Sequence, residues 1–266
     1  MRVYPAVYIR GLRRYSTYRA ATIAGILTNS VFGCINAAVL IALFSVRPEI
    51  NGYDMGDAVT QVFVCQALIA TVAVMGPPLD LGERIRTGAV GVDLLRPVSL
   101  MGWWLSEDLG RATFSLVFRG TPTFLVGTVL FDLVLPKTLG HWALVLASCG
   151  LAAIIGFALR YLYELAGFWI LDTRGIWAIV GMLGPVAAGM LLPLALYPPA
   201  VSGVLRALPW ASTIQIPAEI LLGKESLPGG SVAGGLALQA GWALGLLLLG
   251  AWITSVATRK VVVQGG

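Results

Sequence analysis

Long apolar stretches alternate with short charged segments along the whole chain. Five uncharged stretches contain 22 to 33 residues each, and a helix needs only about 20 apolar residues to cross a bilayer. A sixth stretch, interrupted by Arg119, is needed to keep the remaining connections short. The pattern predicts an all-α polytopic membrane protein with six transmembrane helices. They are Ala20–Val46, Ala58–Pro78, Arg111–Leu135, Trp142–Leu171, Ile176–Leu196 and Ser231–Ala257.

Composition excludes a water-soluble enzyme. Of the 266 residues, 58% are hydrophobic and 12% are charged, against roughly 25% charged in a typical soluble domain. The mean hydropathy is +0.84. Outer-membrane barrels show ~10-residue alternating segments instead of long apolar runs. The three cysteines lie inside apolar runs without metal-ligand spacing, so we expect no metal site.

Lysine and arginine are concentrated on one side of the predicted spans. Twelve of the 18 lie on the side of residues 1–19, four lie on the opposite side, and Arg119 and Arg160 lie within spans. Because cytoplasmic segments carry the excess of lysine and arginine, both ends of the chain are predicted to be cytoplasmic. The net charge of +5 therefore reflects topology, and we expect no nucleic-acid partner.

Residues 1–19 predict an amphipathic interfacial helix ahead of a six-span domain at 20–266. Arginines lie mostly on one helical face, and apolar and aromatic residues lie on the other. The apolar face consists of Tyr4, Val7, Tyr8, Gly11, Leu12 and Tyr15. Basic amphipathic helices of this kind lie in the membrane interface. The alternative is a plain positively charged flank, and the two interpretations are compatible.

Residues 79–110 form a 32-residue segment on the predicted cytoplasmic side, which is too long for a structureless connection in a compact protein. Its apolar spacing predicts a short amphipathic helix that stops at Gly88, and Pro97 then breaks the chain. Ser106, followed by two acidic residues, predicts the start of the next helix. The segment is either a docking element for a cytosolic partner or a simple connector.

Residues 197–230, on the predicted outer side, are divided by prolines into apolar pieces too short to cross a bilayer alone. The prolines are Pro198, Pro199, Pro209 and Pro217. We predict a re-entrant helical hairpin that forms an outer gate and includes Glu219. Backbone at this depth must be buried by protein or line a cavity. The rival interpretation is two further spans, which would leave Glu219 within the membrane.

The sequence lacks motifs for catalysis and nucleotide binding. It contains no phosphate-binding G-x-x-x-x-G-K-[ST] loop, no G-x-S-x-G elbow and no C-x-x-C pair. Glu164 is the only acidic residue well inside a predicted span, which argues against ion coupling. We therefore expect no catalytic or cofactor-binding residue in this chain and an energy source outside it.

Three charged side chains are expected at similar depth near the cytoplasmic ends of the third and fourth spans. Charges within spans face the protein interior and pair, so we predict a contact between Arg119 and Glu164, with Arg160 as an alternative partner. Alternatively, Arg119 reaches the lipid headgroups on its own. With nearby aromatic residues, this cluster predicts the inner mouth of a pathway for an amphipathic substrate. The aromatic residues are Tyr161, Tyr163, Phe168 and Trp169.

Several short motifs resemble a known family. Residues 83–88, ERIRTG, followed by 93–98, DLLRPV, are similar to the I-x-x-G…L-L-R-P-V signature of type-2 ABC exporter permeases of the viologen or antibiotic exporter subgroup. AGFW at 166–169 and PAEI at 217–220, followed by Gly223, also match. The resemblance covers essentially the whole chain.

The resemblance implies a permease that exports amphipathic small molecules, natural products or lipids from a bacterial inner membrane. Its partners would be cytosolic ABC ATPase subunits, which hold ATP and Mg²⁺, membrane lipids and a second permease, for which we favour a heterodimer. The helix after span two would couple to the ATPase through Glu83, Arg84, Arg86, Gly88, Arg96 and Pro97. A stand-alone secondary transporter or channel is the alternative.

Overall fold

The computed structural model describes residues 3–74, 76, 79–170 and 172–258. These residues form helices and connections without a β-strand, so the all-α prediction is confirmed. The α-helices are α1 Val3–Ser16, α2 Arg19–Val46, α3 Met55–Val72, α4 Asp80–Arg86, α5 Val90–Leu94, α6 Leu100–Ser115, α7 Thr121–Leu130, α8 Leu139–Leu165, α9 Gly167–Ile170, α10 Arg174–Ala187, α11 Pro199–Ala207, α12 Gln215–Leu222 and α13 Val232–Ala257. The predicted ends of spans two and four, at Pro78 and Leu171, lie outside the described residues.

Within the described part of the chain, five helical rods are long and apolar enough to cross a membrane: α2, α3, α6 with α7, α8 with α9, and α13. The fifth predicted span, Ile176–Leu196, is not one continuous helix. Instead, α10 has 14 residues and reaches about 21 Å at 1.5 Å per residue, short of a ~30 Å hydrocarbon core. Pro185 lies inside α10, and Gly189 beyond it has a φ of +72°. The count of six spans therefore stays a prediction.

The third rod begins eleven residues earlier than predicted. Ser99 caps α6, because its hydroxyl accepts the backbone N–H of Gly102 at 3.2 Å. The prediction that Ser106 starts this helix is wrong, since the Ser106 hydroxyl donates to the Gly102 carbonyl inside the helix. Residues 79–110 thus contain α4, α5 and the first turns of α6.

Helix α3 lies at the centre of the bundle. In its most apolar 18-residue stretch, 78% of the residues are buried, compared with 22% in the corresponding stretches of α2 and α13. Those two helices expose most of their surface. The rod of α6 and α7 approaches α3 closely at two glycines. A Cβ atom at Gly120 would lie 2.5 Å from the Ala67 carbonyl oxygen, and one at Gly127 would lie 2.4 Å from the Phe63 ring. Small residues at such crossings let membrane helices pack backbone to backbone.

Helix α1 packs against α6 through a second pair of glycines. A Cβ atom at Gly11 would lie 2.2 Å from the Glu107 carbonyl oxygen, and one at Gly110 would lie 2.2 Å from the Tyr8 carbonyl oxygen. The Tyr8 hydroxyl also donates to the Thr113 hydroxyl at 3.0 Å. The apolar face predicted for this segment therefore contacts α6. Its position in the membrane interface stays a prediction.

Candidate functional site

The connection between the second and third rods forms two short helices at the α1 end of the bundle. Leu81 and Ile85 of α4 are buried in a core with the last turns of α8. Gly88 follows α4 with a φ of +76°, a left-handed conformation that commonly ends helices. The prediction of a short helix that stops at Gly88 is confirmed.

Glu83 and Arg86 form an ion pair on the outward face of α4. Their carboxylate and guanidinium are 2.7 Å apart, and both side chains are more than half exposed. The hydrogen bond from Arg86 lowers the pKa of the Glu83 carboxyl, so the pair stays charged at neutral pH. Two of the predicted ATPase contacts are thus accessible at the surface.

Arg84 and Arg96 differ from the Glu83–Arg86 pair, because both bind the buried carboxylate of Asp93. The Arg84 Nη2 atom lies 2.8 Å and the Arg96 Nη2 atom 3.2 Å from the Asp93 Oδ1 atom. The Arg96 guanidinium also lies over the Trp103 ring, 4.6 Å from its centre. Pro97 lies exposed in the turn that follows. These residues hold α5 and the turn before α6 in position.

Glu164 joins α8 to both α4 and α10. Its carboxylate accepts a hydrogen bond from the Trp177 indole nitrogen at 3.1 Å. A Cβ atom at Gly82 would lie 2.0 Å from the Glu164 Oε2 atom, so this carboxylate lies directly against the backbone of α4. A displacement of α4 would therefore act on Glu164.

Arg160 forms a buried ion-pair network with Asp108 and Arg111 on α6. Both guanidinium groups lie 2.6 Å from the Asp108 carboxylate. Arg111 also donates to the carbonyl oxygens of Ala70 and Thr71, near the end of α3. Asp108 and Arg111 were not predicted as part of the site, because in the sequence they resemble a helix start and a span boundary. Their i,i+3 spacing is the signal that indicates a pair on one helix face.

The predicted contact between Arg119 and Glu164 is wrong. Glu164 contacts α4 and α10, whereas the Arg119 guanidinium lies over α2, where a Cβ atom at Gly25 would be 2.4 Å from its Cζ atom. Arg160, the alternative partner, binds Asp108 instead. Among the described residues, Arg119 has no ion pair, and its buried Nε atom has no hydrogen-bond partner.

The predicted aromatic residues face different neighbours. Tyr161 is fully buried and contacts α13, where its hydroxyl forms a hydrogen bond. Tyr163 packs edge-on against Trp177 of α10, with ring centres 5.6 Å apart. Phe168 and Trp169 lie on α9, with ring centres 6.4 Å apart. Tyr161, Tyr163 and Phe168 all border one hydrophobic core, whereas Trp169 is 43% exposed.

At the opposite end of the bundle, prolines frame two short helices. Pro198 caps α11, Pro199 is its first residue, Pro209 follows it, and Pro217 lies in α12. With nine and eight residues, these helices reach about 14 and 12 Å, less than half of a ~30 Å core. They do not form two further spans, so the rival interpretation is wrong. The depth of the pair in the membrane stays a prediction.

Glu219 of α12 is fully buried in a polar network. Arg206 of α11 forms a two-pronged ion pair with its carboxylate, at 2.7 and 2.5 Å. The Gln215 amide donates to the same carboxylate at 2.7 Å, and the Tyr53 hydroxyl donates at 3.2 Å. Burial raises the pKa of Tyr53 well above its usual value, which keeps the phenol protonated for this role. The network ties α11 and α12 to the loop before α3.

Lys224, after α12, forms an ion pair with Asp57 in the first turn of α3. Arg206 and Lys224 are two of the four basic residues on the predicted outer side, and no pattern in the sequence links them to acidic partners. The sequence pattern that points to this network is local, because Gln215 and Glu219 are four residues apart and therefore share a helix face. Their partners outside α12 come from distant parts of the chain.

Residues 33–265 match the family described as ABC-2 family transporter protein, which covers most of the chain. The chain belongs to the ABC-2 transporter family. No curated protein matches the sequence. Together, the family match and the five apolar rods identify an ABC-2 permease, a multi-pass membrane component that associates with an ABC ATPase.

Proposed function

We propose that this ABC-2 permease is the membrane subunit of an exporter in the viologen or antibiotic exporter-like subgroup. Its cargo is an amphipathic small molecule, natural product or lipid, moved out of the cytoplasm or the inner leaflet. The observation that carries the proposal is α4, which is packed on the bundle by Leu81 and Ile85 while its charged pair, Glu83 and Arg86, faces outward. An ATPase subunit needs an exposed charged surface that is mechanically joined to the spans.

The proposed division of labour places ATP and Mg²⁺ in the partner ATPase. This chain is not an enzyme in the proposal, and the absence of a phosphate-binding loop from its sequence supports that assignment. A second permease completes the pathway, preferably as a heterodimer, within a bacterial inner membrane. The asymmetry of lysine and arginine supports cytoplasmic ends and hence a cytoplasmic α4.

Coupling in this proposal runs through Glu164. A ligand or partner shifts a conformational equilibrium only by its differential affinity for the two states. In the proposal, α4 changes position between the two states, so the ATPase binds one state more tightly than the other. Because the Glu164 carboxylate lies against Gly82 of α4 and bonds Trp177 of α10, a shift of α4 acts on α8 and α10 together.

The outer gate of the proposal is the pair of helices α11 and α12. Arg206 and Glu219 join them by an ion pair, and Tyr53 joins them to the loop before α3. Since separating these buried charges is costly, the pair opens and closes as one unit. Pro198, Pro199, Pro209 and Pro217 set the ends and turns of that unit.

The double variant Glu83→Arg/Arg86→Glu tests the ATPase contact. It reverses both outward charges while keeping an ion pair within α4, so the helix itself is preserved. We expect at least about tenfold weaker association with the ATPase, because charges buried at an interface lose their complementary partners. The measurement is co-purification and ATP hydrolysis of the complex in mild detergent.

The matched control is Arg10→Glu, which reverses one exposed charge on α1 at the same end of the bundle. It should leave association and hydrolysis unchanged. Full association and transport-linked hydrolysis in the double variant would refute the assignment of α4 as the coupling surface.

A further inference from the structure

A cavity of about 320 Å³ lies between α2, α3 and α6 at the α1 end of the bundle. Its volume falls within the range of ligand pockets, roughly 300–1,000 Å³. Polar side chains enter it from several elements: Tyr15, Asn29, Arg111, Ser115 and Arg119. Of the described residues that line it, two are arginines and none is acidic. Because Arg111 is already paired with Asp108, the net positive charge of the cavity comes from Arg119.

The two arginines of the cavity differ in their hydrogen bonds. Arg111 uses its donors on Asp108 and on two carbonyl oxygens of α3. Arg119 has no acceptor among the described residues, and its Nε atom is buried. Charged side chains within membrane spans almost always find a partner. Arg119 thus brings an unused set of donors to a site without a protein carboxylate.

The backbone at Arg119 is built to turn this side chain towards α2. Residues Leu116–Gly120 form a π-helical segment that ends two residues before Pro122. The ring of Pro122 is incompatible with a regular helical bond to the preceding turn. Thr121 and Thr123 donate side-chain hydrogen bonds to the carbonyls of Leu116 and Arg119. Such π-segments occur frequently at functional sites.

The Arg119 guanidinium is then held against α2 by the absence of a side chain at Gly25, where a Cβ atom would be 2.4 Å from the Cζ atom. Beside the cavity along the chain, Val117 and Phe118 are about half exposed. A cationic group therefore lies next to apolar surface that faces the bilayer. An anionic headgroup with acyl chains matches this combination.

We propose that the cavity binds the phosphate group of an anionic phospholipid from the leaflet at the α1 end, with Arg119 as its principal ligand. Tyr15 and Ser115 supply hydroxyl groups on the same wall. The bound lipid provides the acceptor that the chain itself does not. The inference is independent of the ATPase.

Lipid binding is measured by native mass spectrometry of the full chain, purified and delipidated in mild detergent. The wild type is titrated with phosphatidylglycerol and with phosphatidylcholine, whose phosphate is balanced by a choline cation. We expect the first phosphatidylglycerol to bind at least about tenfold more tightly, and Arg119→Gln to remove this preference, since charge-assisted hydrogen bonds are lost.

Two further variants separate the site from general effects of charge. Gly25→Ala keeps every charge but displaces the guanidinium, so it should weaken phosphatidylglycerol binding as well. Arg13→Gln removes one exposed arginine from α1 and should leave binding unchanged. Inorganic phosphate in large excess should not displace the lipid, because it lacks the acyl chains.

Four results would overturn the proposal. Equal binding of the two lipids would show that Arg119 only reaches towards headgroups in general. Unchanged binding in Arg119→Gln, or an equal loss in Arg13→Gln, would show that the lipid binds elsewhere. Displacement by inorganic phosphate would show that the cavity takes free phosphate and not a lipid.

Discussion

The Glu219 network and the Arg119 cavity are two charged regions at opposite ends of the same bundle. Glu219 pairs with Arg206 and accepts hydrogen bonds from Gln215 and Tyr53, so every group finds its partner within the chain. Arg119 has no such partner among the described residues. The difference separates a region that the fold completes by itself from one that a ligand completes.

The largest effect is expected when one member of the ion pair in the Glu219 network is removed. Arg206→Gln leaves the Glu219 carboxylate buried without its cation, and breaking a buried ion pair costs about 3–5 kcal/mol. We expect a loss of this size in the free energy of unfolding, measured by denaturation in detergent. Arg206→Gln/Glu219→Gln should recover part of it, because no charge is then left unpaired.

Arg47→Gln is the control for Arg206→Gln, since Arg47 is exposed at the same end of the bundle. It should change the free energy of unfolding by no more than about 0.5 kcal/mol. If Arg206→Gln behaves like this control, the ion pair does not hold α11 on α12.

Gln215→Met tests the neutral hydrogen bonds within the Glu219 network. The variant keeps a similar volume but removes the donor to Glu219 and the acceptor for the Leu194 backbone N–H. Leaving such buried groups unsatisfied costs about 1–3 kcal/mol. Combination with Tyr53→Phe should be non-additive by at least about 0.5 kcal/mol, because both residues bond Glu219. Strict additivity in unfolding experiments would argue against one shared network.

The smallest effect is expected in the unpaired region. Arg119→Gln should change the free energy of unfolding by no more than about 0.5 kcal/mol in lipid-free detergent, because no partner is lost. Arg160→Gln is the matched comparison: it removes an arginine that is nearly fully buried on Asp108, and it should cost several times more. Added phosphatidylglycerol should then stabilise the wild type and not Arg119→Gln, since only the wild type binds it. A large loss in Arg119→Gln without lipid would place Arg119 among the structural charges.

The hydrophobic pattern alone predicted the two most exposed rods of the bundle, α2 and α13. The predicted spans Ala20–Val46 and Ser231–Ala257 agree with α2 and α13 within a residue. These helices are mostly exposed, so their sequences show an uninterrupted apolar run. The start of α6 was missed because Glu107, Asp108 and Arg111 resemble a helix boundary when read in sequence. Their burial depends on partners from other helices.

The candidate site was predicted less well, because depth in the membrane does not determine the direction of a side chain. Counting residues placed Arg119 and Glu164 at similar depth, but it did not reveal the π-helical segment at Leu116–Gly120. One inserted residue turns the helix face by about 100°. Likewise, the partners of Glu219 come from residues 53 and 206, which no local pattern connects.

The contact between Gly11 and Gly110 also has a consequence for biosynthesis. The two glycines are about 100 residues apart in the sequence, so α1 leaves the ribosome roughly 5–20 s before its partner surface exists. During this interval α1 needs another place for its apolar face, and its amphipathic sequence offers the membrane surface. When α6 emerges, the lack of a side chain at Gly110 allows the apolar face of α1 to leave the membrane surface and pack against α6. The same apolar face of α1 thus suits the membrane surface during synthesis and α6 in the folded protein.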